Sequence, residues 1–438
     1  MIGLLIIYSF AIFQAILLPV YVSRYLSSIL LLLPMFLSEA KLGSLVLDTF
    51  SKIGILAVTL PAIVTLLYHR RPQRHFVILI TLLTISGQLV SASRNLATLA
   101  VALEAMSLAA AAVALYPGSR DKLKVSTTYL IFSVLAAVML FMGLAFYFAG
   151  GGSIKLTNGF TQTSTAIVGL ALMVTAIMIK LAISPMHTWA VDVYSQGSTS
   201  AALFLSSSVK AAAMIALAIL AFGPLKYAYE LGYWQLLLPF LILAVLSNII
   251  GAVGMVVSDK VKKILSFSSV IHAGFVALTL AYPGPLTASI IAYYALTYSI
   301  ANTVAFASIL MVKSEDDAYV GDLSILYKKP LTALAVAIAI LSLLGLPPTA
   351  GFNAKLFSLL ALLRSTEMSP VLLTAFAIIA VVSTAVSGYS YIKIVGYLAK
   401  RPETETRVET TDMDVFLWIL SLLLIVMYFA PVFSVPTT

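Results

Sequence analysis

The chain contains no cysteine, which excludes a disulfide, a thiolate metal site and a cysteine-ligated iron–sulfur cluster. Charge is scarce: 10% of the residues are Asp, Glu, Lys or Arg, against roughly 25% in a soluble domain. The four histidines, His69, His75, His187 and His272, are scattered, and no pair has metal-ligand spacing on one helix. There is no Gly-x-Gly-x-x-Gly fingerprint, no His-Glu-x-x-His, no pair of intramembrane aspartates and no nucleophile elbow. Dinucleotide binding and intramembrane hydrolysis therefore have no support. The longest polar stretches, 313–329 and 400–413, are only loop-sized, so no soluble domain is expected.

What remains is apolar. Hydrophobic residues make up 61% of the chain and the mean hydropathy is +1.06. Apolar runs long enough to cross ~30 Å of hydrocarbon recur from end to end. The expected fold class is an all-α polytopic membrane protein with about 14 transmembrane helices. The spans fall near 2–20, 25–38, 48–68, 76–93, 95–116, 127–149, 164–195, 199–221, 235–256, 264–282, 285–312, 330–364, 369–399 and 414–431. Residues 1–20 lack a basic leading region and a small-residue cleavage site, so they read as a retained span.

The seventh and twelfth spans are too long for one simple crossing. Each holds a proline-bearing break, Ala182-Ile183-Ser184-Pro185 and Gly345-Leu346-Pro347-Pro348, because proline removes an intrahelical hydrogen bond and clashes with the preceding turn. Broken helices at corresponding places in two halves point to inverted repeats. Spans 4–8 and 9–13 form two five-helix units of opposite topology with the break in the fourth helix of each. One membrane domain results: N-terminal helices over 1–75, a first repeat over 76–221, a second over 235–399 and a last helix over 414–431.

Loop charge supports this count. Loops after odd-numbered spans hold 16 Lys or Arg, among them Arg70, Arg71, Arg74, Arg120, Lys122, Lys124, Lys260, Lys262 and Lys263, whereas loops after even-numbered spans hold 5: Lys41, Arg94, Lys155, Lys226 and Arg364. Positive loops stay inside, so the odd loops are expected in the cytoplasm and both termini outside the cell membrane. The net charge of +9 then reflects topology and contact with anionic lipid headgroups. The basic residues are dispersed with no aromatic interleaving, so no nucleic-acid partner is expected.

Within the spans stand Glu104, Lys180, Lys210 and Lys355. An ionisable side chain near the bilayer centre costs ~2.5–3.5 kcal/mol on the mildest insertion scale. Four of them on four helices suggest charge movement. Glu104 is the lone carboxylate at mid-membrane depth, and Lys180 lies five residues before Pro185, where the break frees carbonyls and admits water. A lysine whose proton affinity depends on where Glu104 stands is a proton switch. A structural salt bridge is the bland alternative for the pair. Lys210 follows Ser206, Ser207 and Ser208; Ser206 and Ser207 at i−4 and i−3 are expected on its face, holding a water by the amine.

His272 can accept and donate a proton near neutral pH, although a packing histidine is equally open. Lys355 follows the second break as the counterpart of Lys180. Tyr294, Tyr298 and Asn302 form an i, i+4, i+8 polar stripe that could carry water between His272 and Lys355, although such stripes more often just pack helices. Lys263, at the cytoplasmic end of the tenth span, fits an inlet or a lysine snorkelling to the interface. Lys52 and Lys393 are expected to snorkel, and Asp48 and Asp192 to lie at the interface.

These residues resemble the antiporter-like membrane subunits of respiratory complex I, which are related to subunits of multisubunit cation/proton antiporters. The resemblance covers roughly spans 3–13. It rests on Lys180-Leu181-Ala182-Ile183-Ser184-Pro185-Met186-His187-Thr188-Trp189, on Ser268-Ser269-x-x-His272-x-Gly274, on Gly345-Leu346-Pro347-Pro348-Thr349-Ala350-Gly351-Phe352 leading to Lys355, and on Leu103-Glu104-x-Met106-Ser107-Leu108. His187-Thr188-Trp189-Ala190-Val191-Asp192-Val193-Tyr194 is similar to the N-type pattern, as is lysine at 355. Gln196-Gly197-Ser198-Thr199 departs from the family's usual Gly-Ala-Pro-Thr.

The resemblance implies a proton-translocating subunit of a larger NADH-, ferredoxin- or F420H2-linked quinone oxidoreductase in a prokaryotic plasma membrane. It implies no flavin, cluster or quinone site in this chain, those cofactors belonging to partner subunits. Its partners would be other membrane subunits, including sister antiporter-like ones. Glu104 and Lys180 would be the switching pair, Lys210 and His272 the midplane relay, and Lys355 the terminal site. A subunit of a multisubunit sodium/proton antiporter or of a membrane-bound hydrogenase is the alternative, with protons or sodium as the ion.

Overall fold

A computed structural model describes residues 2–68, 73–116, 120–156, 164–313, 317–402, 414–434 and 436. His69, Arg70 and Arg71 lie outside the described residues. The chain begins with α1 (Ile2–Leu17) and α2 (Val20–Leu32), separated by two residues rather than the longer link expected. A hairpin follows, β1 (Ala40–Leu42) against β2 (Leu45–Leu47), antiparallel with Ala40 opposite Leu47. No strand is expected there from the sequence; the turn is made by Gly43 at φ 57°, a backbone that glycine adopts without steric cost. Next comes α3 (Thr49–Tyr68).

The first repeat comprises α4 (Arg74–Ala92), α5 (Leu96–Leu115), α6 (Arg120–Ala149), α7 (Ser164–Lys180), α8 (Thr188–Gln196), α9 (Thr199–Phe204) and α10 (Lys210–Phe222). After the short α11 (Pro224–Glu230), the second comprises α12 (Leu238–Val256), α13 (Val261–Leu278), α14 (Pro285–Lys313), α15 (Pro330–Leu344), α16 (Ala350–Leu363) and α17 (Pro370–Leu398), and α18 (Asp414–Phe429) closes the series. Pairing α7 with α8, α9 with α10, and α15 with α16 gives the two inverted five-helix units, each with a broken fourth helix.

Local chemistry sets several helix ends. Asn95 accepts from the backbone N–H groups of Ala97 and Thr98 at 2.8 and 3.4 Å to cap α5, satisfying donors that have no intrahelical partner. Pro285, Pro330 and Pro370 open α14, α15 and α17, where a missing N–H costs nothing. The helices α6 and α7 touch closely because Gly143 has no side chain; a Cβ there would stand 2.7 Å from the Gly169 carbonyl oxygen.

The two ends of the bundle differ. At one, the hairpin meets Ser93, Asn95 bridges Lys155, and Tyr229 contacts Ser365; we refer to it as the hairpin end. At the other, Lys122 reaches the Gln196 carbonyl, Lys393 pairs with Asp259 at 2.7 Å, and Lys329 pairs with Asp414 at 2.9 Å; this is the basic end. Windows within α13 and α14 are 94% and 89% buried, whereas those in α6 and α17 are 28% and 33% buried. The first pair is therefore the interior of the bundle and the second pair its apolar exterior.

Asp48, expected at the interface, lies at the hairpin end and is buried there, where it accepts from one Arg94 guanidinium nitrogen at 2.8 and 2.9 Å. The chain returns along α3 and α4, which brings the two residues together at the hairpin end.

Candidate functional site

The structure brings the five expected residues onto interior elements around two helix breaks. Lys180 is the last residue of α7, and its Nζ stands 2.9 Å from Glu104 Oε1. The two side chains form an ion pair, and the amine also donates to Ser107 Oγ at 2.6 Å. Ser107 lies one turn beyond Glu104 on α5, and this i, i+3 spacing, visible in the sequence, puts both on one face.

The break after Lys180 has a defined backbone cause. Ile183 N–H bonds the Met178 carbonyl and Ala182 N–H the Ile179 carbonyl, both at 3.0 Å, with Ala182 at φ 59°. This pattern ends helices with a left-handed residue, usually glycine; alanine there costs roughly 1–2 kcal/mol. The second break repeats the pattern. Leu346 N–H bonds the Leu341 carbonyl at 3.1 Å and Gly345 takes φ 86°, here with the residue that suits the conformation.

Lys355 reaches back over this second break. Its Nζ donates to the Leu344 carbonyl at 2.8 Å and stands 5.1 Å from the Phe275 ring centroid. The last carbonyls of α15 lack intrahelical partners and carry partial negative charge, so a cation at this point is favourable.

Lys210 is 1% exposed and begins α10 directly after a single π-helical turn, Leu205–Val209. Such turns insert a residue into the helix, shifting the phase of everything before them. The expected serine–lysine face therefore does not form. Ser206 and Ser207 each accept from Asn302 Nδ2 at 2.8 Å, and Ser208 donates to the Val58 carbonyl at 2.8 Å. The Lys210 amine donates to the Ser269 carbonyl of α13 at 2.6 Å.

His272 lies one turn along α13 from Ser269. Its Nδ1 is 2.7 Å from the Tyr294 hydroxyl, and the imidazole is buried. The Tyr294, Tyr298 and Asn302 stripe forms, but it runs from His272 to the π-helical turn rather than towards Lys355. Tyr298 donates to the Ser206 carbonyl at 3.0 Å. The phase shift created by that turn is what offers Asn302 and Tyr298 their partners.

Two small cavities complete the row. One, of about 20 Å³, is lined by Ser107, Lys180 and Lys210 among others. The other, of about 10 Å³, is lined by His272, Thr297, Ser342 and Gly351 among others. A space of roughly 10–15 Å³ accommodates one water when polar partners face it. At the basic end Lys263 is exposed, whereas Lys262 is buried and donates to the Gly197 carbonyl at 2.9 Å.

Residues 93–384 match the family profile described as NADH:quinone oxidoreductase/Mrp antiporter, TM. The chain belongs to this family. It is 32% identical over 362 residues to NADH-quinone oxidoreductase subunit 14 of Thermus thermophilus, covering 82% of this chain and 79% of that one. It is 30% identical to NADH-quinone oxidoreductase subunit N of Trichlorobacter lovleyi, over 83% and 76% of the two chains. Among solved structures, it superposes on a chain of respiratory complex I from Thermus thermophilus with a TM-score of 0.85 at 28% identity, covering 98% and 96%. A chain of the Mrp complex from Dietzia sp. has a TM-score of 0.79 at 19% identity, over 98% and 94%, a likeness of fold alone. The N-type resemblance seen in the sequence thus agrees with how its quinone oxidoreductase family relatives are named.

Proposed function

We propose that the chain is a proton-translocating membrane subunit of a complex I-like quinone oxidoreductase, resembling the N-type subunit. One observation carries the reading: Glu104, Lys180, Lys210 and His272 follow one another through an ion pair, a water-sized cavity and a bond to the turn of α13 before His272. Lys355 stands at the second break beyond them. In this reading Glu104 and Lys180 form the switch, because separating them changes how tightly the amine holds its proton. Lys210 and His272 relay, and Lys355 is the terminal site. The breaks supply free carbonyls, polar partners of the kind that charge in the membrane interior requires.

The basic end is cytoplasmic and both termini are outside in this reading, following the distribution of loop charge. Residues 76–221 and 235–399 act as the two half-channels, with 1–75 and 414–431 packed around them. The membrane is a prokaryotic plasma membrane. Flavin, iron–sulfur clusters and quinone belong to partner subunits, and sister antiporter-like subunits are its neighbours in the membrane. The 30–32% relatives carry the name of a quinone oxidoreductase subunit, which favours redox-driven over gradient-driven transport.

The experiment is to reconstitute the native complex in liposomes and measure protons released per substrate oxidised. Substituting Lys180 or Lys210 by alanine should depress that ratio in an assembled complex. Unchanged ratios in both would overturn the reading.

A further inference from the structure

Two neighbouring residues at the end of α15 receive the last two members of the row. The Leu344 carbonyl accepts from Lys355 Nζ at 2.8 Å, and the His272 ring bonds the backbone of Leu343. The last carbonyls of a helix have no intrahelical partner, so this end is a ready acceptor for both. How Lys355 stands relative to His272 therefore depends on how α16, which carries the lysine, lies against the end of α15.

Helix α16 is held at two helix ends. Lys355 reaches the end of α15; two residues earlier, Asn353 Nδ2 donates to the Tyr428 carbonyl in the last turn of α18 at 2.8 Å. The neighbouring Met427 carbonyl accepts from the Tyr293 hydroxyl of α14 at 2.9 Å, and the Asn353 side chain bonds that hydroxyl as well. Helix α18 is pinned in turn to α15. Asp414 pairs with Lys329 at 2.9 Å, both side chains buried, and the Ser421 hydroxyl donates to the Ala335 carbonyl at 2.8 Å. A closed ring results, from α15 to α18 to α16 and back to α15. A direct tie also crosses the break, Gly351 N–H to Ser342 Oγ at 3.2 Å, but it lies a full turn before Lys355.

The Lys355 bond is the member of this ring that weakens when the residue gives up its proton, because a neutral amine holds a carbonyl less strongly than an ammonium does. The Asn353 amide does not titrate. We propose that Asn353 is the positioning residue of Lys355: anchored on the end of α18, it keeps α16 in place while Lys355 is without its proton, so that the amine stays at the helix end it shares with His272. The inference rests on the reading of His272 as relay and Lys355 as terminal site.

The test uses the assembled complex in liposomes, with proton release and substrate oxidation followed together. Asn353→Leu removes the donor and keeps the bulk, and Asn353→Ala removes it without crowding. Each should lower the proton yield per oxidised substrate and shift its pH profile, since the surroundings of the Lys355 amine change. Asn353→Gln, which keeps an amide, should recover part of the yield. Replacing Lys329 and Asp414 together by leucine removes the anchor without stranding one buried charge, and should lower the yield as well. Normal yield and an unmoved pH profile per assembled complex in Asn353→Leu and Asn353→Ala, where Lys355→Ala is depressed, overturn the positioning role and leave the relay standing, even if the variants melt earlier. Normal yield in the Lys329 and Asp414 double variant overturns the ring through α18. Normal yield in Lys355→Ala removes the terminal-site reading, and the inference with it.

Discussion

The Lys210 amine of the first repeat donates to the Ser269 carbonyl of the second at 2.6 Å. That bond is where the two halves of the buried row join. It exists because the π-helical turn before Lys210 sends the neighbouring serines to α3 and α14 and leaves the amine directed at α13.

The pair Glu104 and Lys180 should behave as a unit. Glu104→Gln and Lys180→Ala are each expected to depress pumping strongly, and the double variant to be little worse than Lys180→Ala alone, since groups in contact are not additive. Proton yield per oxidised substrate measures this. Simply additive losses would remove the coupling.

Lys355→Arg is expected to abolish pumping while the complex still assembles. Arginine retains the charge that answers the Leu344 carbonyl but does not release a proton in a protein. The comparison is between proton yield and subunit content of the purified complex. Normal pumping would mean that charge alone matters at this break.

The neighbours Lys262 and Lys263 should separate cleanly. Lys262→Ala removes the buried donor to the Gly197 carbonyl, leaving the link between α8 and α9 without its partner from the second repeat. Its proton yield should fall, whereas Lys263→Ala, at an exposed position, should match the parent. The reverse order would restore Lys263 as the inlet.

Asn302→Leu should destabilise the turn before Lys210, because Ser206 and Ser207 both lose their donor. Leaving buried polar groups unsatisfied costs about 1–3 kcal/mol. A lower melting temperature together with reduced pumping is expected; unchanged melting would show that the turn does not depend on Asn302.

Asp48→Asn provides a contrasting structural case. It removes the carboxylate from a buried Arg94 guanidinium, and breaking a buried pair from one side costs about 3–5 kcal/mol. Assembly and thermal stability should drop, with proton yield per assembled complex unchanged. A fall in yield at full stability would move the pair into the proton path.

Much of this protein was legible before any fold was seen. The apolar runs, the alternation of loop charge, the two proline-bearing breaks and the ionisable residues Glu104, Lys180, Lys210 and Lys355 are all local or periodic signals. They are strong because a bilayer forbids unsatisfied backbone and stray charge over long stretches. What stayed hidden depends on partners distant in sequence. The π-helical turn has no proline or glycine to announce it; it persists because Asn302 and Val58, from α14 and α3, satisfy its serines. The burial of Asp48 required Arg94 to arrive from the end of α4.

The sequence by itself thus determined that the chain is a membrane bundle, where its helices break, and which ionisable residues lie inside it. Only the tertiary structure decided which way each of them points: Lys180 towards Glu104 and Ser107, Lys210 towards α13, and His272 towards Tyr294 of α14. Periodicity places a residue on a face of its own helix. The packing of the other helices selects the atom that meets it, and one inserted residue in a helix is enough to change that partner.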